Sequence, residues 1–177
     1  MDEPTIALLT GADVEEIAAA FAALGWQKPA SQYLRYLDEQ HDGQRVVLVA
    51  RHEGQFAGYV TIVWRSSYPP FREAGIPEIA DFNVLPRWRR RGIGSRLLDL
   101  AEEQIAARSV VAGIGVGLFV DYGAAQRLYI QRGYIPDGRG IVWHERTVLP
   151  GETVVADDDL VLYFTKGFPP VNGLLIQ

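Results

Sequence analysis

The 177-residue chain is expected to fold as an α/β (α+β) protein, with a mixed central sheet of about seven strands flanked by about four helices. Three observations carry this expectation. Short runs rich in valine, isoleucine and aromatic residues recur along the sequence, and between them apolar residues repeat at helical spacing. One junction, Phe82 to Glu102, passes from a strand through a glycine-containing turn straight into a helix. The composition also suits a buried core, with 48% hydrophobic, 22% charged and 11% aromatic residues. By length, residues 1–177 form a single domain.

Thr5 to Thr10 reads as an opening strand. Asp13 is the expected cap of a first helix, with Glu15 and Glu16 in its first turn, Ile17, Ala20, Phe21 and Leu24 behind, and Gly25 closing it. Ser31 is the expected cap of a second helix carrying Tyr33, Leu34, Tyr36 and Leu37, whose aromatics suit a core or the lip of a pocket. Arg45 to Arg51 and Phe56 to Trp64 are hairpin strands around Glu53-Gly54-Gln55. Residues 66–77 are broken by Pro69, Pro70 and Pro77, so a long loop with exposed Tyr68 and Phe71 is expected there.

Glu78 to Val84 is the next strand, and Pro86 ends it because proline lacks a ladder donor. The helix that follows runs to about Ala107, with Ile93, Leu97, Leu98, Ala101 and Ile105 on one face. Gly113 to Val120 reads as a strand, and Asp121 as the cap of a short helix bearing Ala125, Leu128, Tyr129 and Arg132 that Gly133 ends. Tyr134-Ile135 opens a further strand, Gly138-Arg139-Gly140 turns, and Ile141 to Val148 is extended. Asp157-Asp158-Asp159 reads as a solvated hairpin end before the last strand, Leu160 to Lys166, and a Pro/Gly-broken tail.

A net charge of −5 and a pI near 5.2 argue against a nucleic-acid footprint, which needs a basic face rather than one basic turn. The same field favours a cationic partner. The chain has no cysteine, so disulfides and thiolate metal sites are excluded. No apolar run reaches the length of about eighteen residues that a membrane span requires. The start, Met1-Asp2-Glu3-Pro4, is acidic where a signal peptide is basic, and a cytoplasmic location is expected.

The Phe82–Glu102 junction carries the chemistry. Gly92 and Gly94 sit where a helix begins, and there the first N–H groups lack intrahelical acceptors and the macrodipole is positive. With Arg89, Arg90 and Arg91 around it, this is a natural anion site. Arg89-x-x-Gly92-x-Gly94, preceded by apolar-x-Val-x-Pro, resembles the acyl-CoA signature of the GNAT superfamily of N-acyltransferases. A second stretch, Ala125-x-x-Leu128-Tyr129-x-x-x-Gly133-Tyr134, resembles that family's later CoA-contacting motif, and the element order matches from about Thr5 to Lys166.

The resemblance implies a GNAT fold with acetyl-CoA as co-substrate. Main-chain N–H groups from Arg90 through Arg91, Gly92, Ile93 and Gly94 to Ser95 would hold the diphosphate beside Arg89. Phe82, Asn83 and Val84 would pair with the pantetheine arm like an added strand, and Ala125 and Leu128 would also contact cofactor. Tyr129 matches the position of the family's proton donor, with Tyr134 as the alternative phenol. Glu78 matches that of a catalytic carboxylate. Strand alternation would turn Asp81 and Asn83 away from the face of Glu78. Where the family often keeps an asparagine, this chain reads Asp121-Tyr122.

Partners are then acetyl-CoA and an amine acceptor, small or peptidic, with a homodimer allowed and neither nucleic acid nor membrane involved. Without cysteine an acetyl-cysteine intermediate is impossible, so transfer would be direct. The competing reading is a non-catalytic acyl-CoA-binding module that acts as a sensor or binds a partner.

Overall fold

A computed structural model describes residues 3–169. Met1-Asp2 of the acidic start, and the tail from residue 170 on, lie outside the described residues. In chain order the elements are β1 (Thr5–Leu8), α1 (Val14–Ala22), α2 (Ala30–His41), β2 (Arg45–His52), β3 (Gln55–Val63), α3 (Pro69–Ala74), β4 (Glu78–Val84), α4 (Ile93–Ala106), β5 (Val111–Gly117), α5 (Gly123–Gln131), β6 (Ile135–Trp143), β7 (Arg146–Thr147) and β8 (Leu160–Gly167). The sheet is mixed, as expected. Among the described residues it has eight strands, one more than the sequence count, and five α-helices accompany it. No helix among them is long and apolar enough to cross a membrane.

The chain divides into two compact units, residues 3–63 with 80–104, and residues 64–79 with 105–169. In the first, β1, β2 and β3 are antiparallel neighbours, with Thr5 opposite Arg51 and Arg45 opposite Val63, and β4 follows β3. In the second, β4 runs parallel to β5 through Glu78–Gly113 and Ile79–Ile114. The order then continues antiparallel through β8, β6 and β7.

Local chemistry explains the first unit. The Thr10 N–H and hydroxyl both donate to Asp13 Oδ2, at 2.8 and 2.7 Å, across a 3-10 turn at Gly11–Asp13. Asp13 is the N-cap residue of α1, as expected, but its side chain makes no capping bond to that helix and is instead the acidic half of a capping box on the preceding turn. Its other oxygen accepts Arg51 Nη2 at 2.6 Å, and the same nitrogen reaches Glu16 at 2.6 Å. Burial works against ionisation of Asp13, but the bonds from Thr10 and Arg51 prevail and hold its carboxyl below the usual range. The Arg51 hydrogen bond leads the same effect on Glu16. Pro29, in extended conformation, precedes α2, which places Ser31 inside the first turn rather than at the cap. Tyr33 and Tyr36 are core residues. The Tyr59 ring meets those of Phe21 and Tyr33 edge-on at 5.9 and 5.6 Å, a geometry favoured by the ring quadrupole. The apolar face read from α4, namely Ile93, Leu97, Leu98, Ala101 and Ile105, is fully buried.

In the second unit the expected loop at 66–77 contains α3. Pro69 and Pro70 occupy its first turn, where no intrahelical donor is lost, and Gly75 closes it in the left-handed conformation at φ 66°. Tyr68 and Phe71 are buried, against expectation. Tyr68 stacks on Tyr163, and the Phe71 ring lies over Gly113. β5 starts earlier and ends earlier than read, and Asp121 falls inside a 3-10 turn, Val120–Tyr122, rather than capping α5. Gly133 ends α5 as expected, at φ 88°. β6 passes through Gly138 and Gly140 as an irregularity between Pro136 and Ile141, and the reversal comes at His144-Glu145, both in the left-handed region.

Two stability outcomes follow. A methyl at Gly113 runs into the Phe71 ring, so Gly113→Ala should lose about 1–3 kcal/mol in urea unfolding. An unchanged midpoint would mean that Phe71 does not sit there. Asp13 and Glu16 have depressed folded pKa values, so their stabilising effect is present above the unfolded pKa of about 4 and fades as pH falls through the folded values. In Arg51→Gln the acid branch of a stability–pH curve should flatten; a branch identical to wild type would remove Arg51 as its cause.

Candidate functional site

β4 reaches α4 through a short and unusual connection. The Leu85 N–H bonds the Ala57 carbonyl at 2.9 Å, and a 3-10 turn, Pro86–Trp88, follows. Trp88 is buried against His52, with ring centroids 4.9 Å apart, and carries the guanidinium groups of Arg87 and Arg91 at 5.3 and 5.1 Å from its ring. Arg89 Nε donates to the Val84 carbonyl at 3.1 Å, which ties the arginine back to the strand. Arg90 and Gly92 then take φ of 58° and 80°. These two left-handed residues swing the chain into α4, whose Arg96 N–H bonds the Gly92 carbonyl at 3.0 Å. The N–H groups of Ile93, Gly94 and Ser95 precede that bond and have no place in the helix ladder.

The two glycines serve different ends. A Cβ on Gly92 would meet nothing within 4 Å, so its requirement is conformational and its backbone stands open. A Cβ on Gly94 would stand 3.1 Å from Phe82 Cζ and 3.5 Å from Val84 Cγ2, so its absence lets the first turn of α4 lie against β4. Arg87, Arg89, Arg90, Arg91 and Arg96 are all exposed around this turn. N–H groups outside the helix ladder, a positive helix end and exposed guanidinium groups fit a diphosphate. Phe82, Asn83 and Val84 are half-buried in the same unit.

Asp81 takes a left-handed φ of 46° within β4, and its side chain meets that of Asn83, as expected, while Glu78 has a different partner in Ser66. The Asp81 carboxylate is the hub of the first unit. Oδ1 accepts Lys28 Nζ at 2.6 Å and Asn83 Nδ2 at 2.8 Å. Oδ2 accepts Gln32 Nε2 at 2.9 Å, the Tyr36 hydroxyl at 2.9 Å and the Tyr59 hydroxyl at 2.5 Å. Burial first, and then the Asp81 charge, push both phenols up, so they stay donors. Sequence reading missed Lys28, Gln32, Tyr36 and Tyr59 as partners because they lie 22 to 53 positions from Asp81, with no local pattern joining them.

The remaining expected site residues belong to the second unit. Glu78 is half-buried and accepts a hydrogen bond from the Ser66 hydroxyl; Ser66 in turn accepts the Tyr68 N–H at 3.0 Å. Tyr163 lies within the field of Glu78: burial, and after it that charge, raise its phenol. Tyr129 is 5% exposed on α5, and burial alone pushes its pKa well up. Its carbonyl accepts the Tyr134 N–H at 3.0 Å, and the two rings stand 6.1 Å apart. Ala125 and Leu128 are half-buried on the same helix. In the stretch Asp121-Tyr122-Gly123-Ala124, Tyr122 donates to Asp158 at 2.8 Å, while Asp121 is exposed.

The sequence model described as the acetyltransferase (GNAT) family matches residues 12–134. No curated protein matches the sequence. Solved structures are similar in fold. The ribosomal-protein-alanine N-acetyltransferase from Brucella melitensis is 22% identical with a TM-score of 0.67, over 93% of this chain and 99% of that one. The ribosomal-protein-S18-alanine N-acetyltransferase from Escherichia coli is 13% identical with a TM-score of 0.68, over 99% and 100%. The yncA protein from Salmonella typhimurium, solved with its cofactor acetyl-CoA, is 18% identical with a TM-score of 0.67, over 95% of each chain.

The conformational role of Gly92 is directly measurable. Gly92→Ala should cost about 1–2 kcal/mol in denaturant unfolding from the left-handed backbone, and Gly92→Asn less, since asparagine visits that region more readily. Equal losses, or none, would contradict the assigned φ.

Proposed function

Because the chain belongs to the GNAT acetyltransferase family, we propose that it moves an acetyl group from acetyl-CoA directly to a primary amine, with residues 1–177 working as one acyltransferase domain. The carrying observation is the turn from β4 into α4: left-handed Gly92, N–H groups at Ile93, Gly94 and Ser95 that precede the helix ladder, and exposed arginines. A diphosphate is the anion that this set suits. Arg89, Arg90 and Arg91 add charge to it. The main chain of Phe82, Asn83 and Val84 takes the pantetheine arm, and Ala125 and Leu128 complete the cofactor contacts.

In the transfer, the amine nitrogen forms a bond to the acetyl carbonyl carbon, and the carbon–sulfur bond breaks. Tyr129 gives its hydroxyl proton to the departing sulfur, and the second proton that leaves the nitrogen restores the phenol. Glu78, oriented by Ser66, takes a proton from the incoming ammonium directly or through a water. Burial of Tyr129 suits this role, because it keeps the phenol protonated throughout the working pH range. The acidic body of the protein, at net charge −5, favours a cationic acceptor. Two of the similar structures are ribosomal-protein-alanine N-acetyltransferases by name, which keeps a peptide amine among the acceptors to test.

Gly92→Val places a branched side chain where diphosphate approaches backbone, so acetyl-CoA binding by calorimetry should be lost while circular dichroism stays native. Tyr129→Phe should keep that affinity and lower turnover by roughly ten- to ten-thousandfold. Since the phenol is raised, wild-type kcat should show no falling limb from Tyr129 below about pH 10. Glu78→Gln should lower kcat and move the rising limb toward the acceptor amine's own pKa. Turnover within about twofold of wild type in Tyr129→Phe, with chemistry rate-limiting, would pass the acid role to Tyr134. Binding without thiol release across an amine panel would favour the non-catalytic module.

A further inference from the structure

Of the 17 basic residues in the chain, Lys28 and Lys166 alone are lysines, and the others are arginines. Lys28 occupies a built site. Its Nζ lies 2.6 Å from Asp81 Oδ1 and 3.2 Å from the Tyr59 hydroxyl, with the rings of Phe21 and Tyr59 at 5.7 and 5.8 Å. Asn83 Nδ2 shares the same carboxylate oxygen at 2.8 Å. The amine of Lys28 is thus linked through one oxygen to Asn83, within the segment assigned to the pantetheine arm. The side chain keeps 20% of its exposure, so it is not sealed off from a reactant.

An ion pair alone does not account for lysine here. Guanidinium binds carboxylate in bidentate fashion and stays charged, and this chain uses arginine nearly everywhere else. Ammonium has one property that guanidinium lacks in proteins: on losing a proton it becomes a nucleophile. A carboxylate with aromatic faces is also the chemistry that recognises an amine.

We propose that Lys28 is an acceptor within the chain itself, so that the protein acetylates its own Lys28 from acetyl-CoA. The Nζ ammonium sheds one proton to solvent and its lone pair attacks the acetyl carbonyl. The nitrogen–carbon bond forms, the carbon–sulfur bond breaks, and the second proton leaving nitrogen is balanced by the one taken up by the thiolate. The products are acetyl-Lys28, free CoA and one proton. Asp81 then loses its cationic partner and keeps its four other donors, Gln32, Tyr36, Tyr59 and Asn83. An amide in place of the ammonium leaves the Asp81 charge available to an acceptor cation.

This inference rests on acetyl-CoA binding at the turn into α4, and the test separates the two. The full chain is incubated with acetyl-CoA, binding is read by calorimetry, and acetylation is mapped by peptide mass spectrometry over time. Lys28 should gain one acetyl group at least about tenfold faster than Lys166, as an amine held beside its reactant does. The rate should be independent of protein concentration, and an excess of free CoA should suppress it. Lys28→Arg should abolish the modified peptide while still binding acetyl-CoA. If acetyl-CoA binds and added amines are acetylated while Lys28 stays unmodified, Lys28 is a structural ion pair and the inference fails alone. Equal rates at Lys28 and Lys166, or no response to free CoA, would mark chemical acetylation and overturn it. A rate rising with protein concentration would rule out transfer within one chain. Absence of acetyl-CoA binding would take the functional reading down with it.

Discussion

The missing side chain of Gly94 sets the distance between a strand and a helix. Phe82 Cζ stands 3.1 Å from where its Cβ would be, so the first turn of α4 lies directly against β4. A Cβ there would press on the Phe82 ring, which would have to give way for the helix to keep its place. The approach is reached through a connection that two left-handed residues, Arg90 and Gly92, bend to the required direction. Arg90 adopts that conformation without glycine's freedom, at a cost of about 1 kcal/mol that the surrounding contacts must offset. Burial of Leu97, Leu98 and Ala101 behind the turn supplies that offset, since each larger apolar side chain contributes about 1.5–3 kcal/mol.

A second strained residue, Asp81, lies on the same strand three positions before Val84. Five donors converge on its carboxylate, which fixes α2, β3 and the segment before α2 to β4 within the first unit. Partly buried charge is tolerated there because every acceptor position is used. Removing one donor would leave the others to share a charge meant for five, so the network is sensitive at each member. Glu78 belongs to a separate network built on Ser66 and Tyr68. The two acids of β4 thus have different partners, and Asp81 shares its side with Asn83, two positions on.

Periodicity exposed most of the fold. The strands at 45–52, 78–84 and 160–167, and the buried face of α4, follow from apolar spacing that a single window contains. The α4 turn was legible too, because glycine and arginine at a helix entrance carry their physics locally. What stayed hidden depended on distant residues or on proline read out of context. α3 opens on Pro69-Pro70, which marks a loop as readily as a helix start, and burial of Tyr68 depends on Tyr163, far along the chain. Lys28 gave no local signal at all, since its meaning comes from Asp81.

The proposed binding of acetyl-CoA depends on the main-chain donors of one turn. Amide hydrogen exchange, read residue by residue with and without acetyl-CoA, reports on them directly. The N–H groups from Arg91 to Ser95 should become protected when acetyl-CoA is added, and those of the exposed Gly151–Glu152 turn should not change. Saturating acetyl-CoA with unaltered exchange at Ile93, Gly94 and Ser95 would contradict the account.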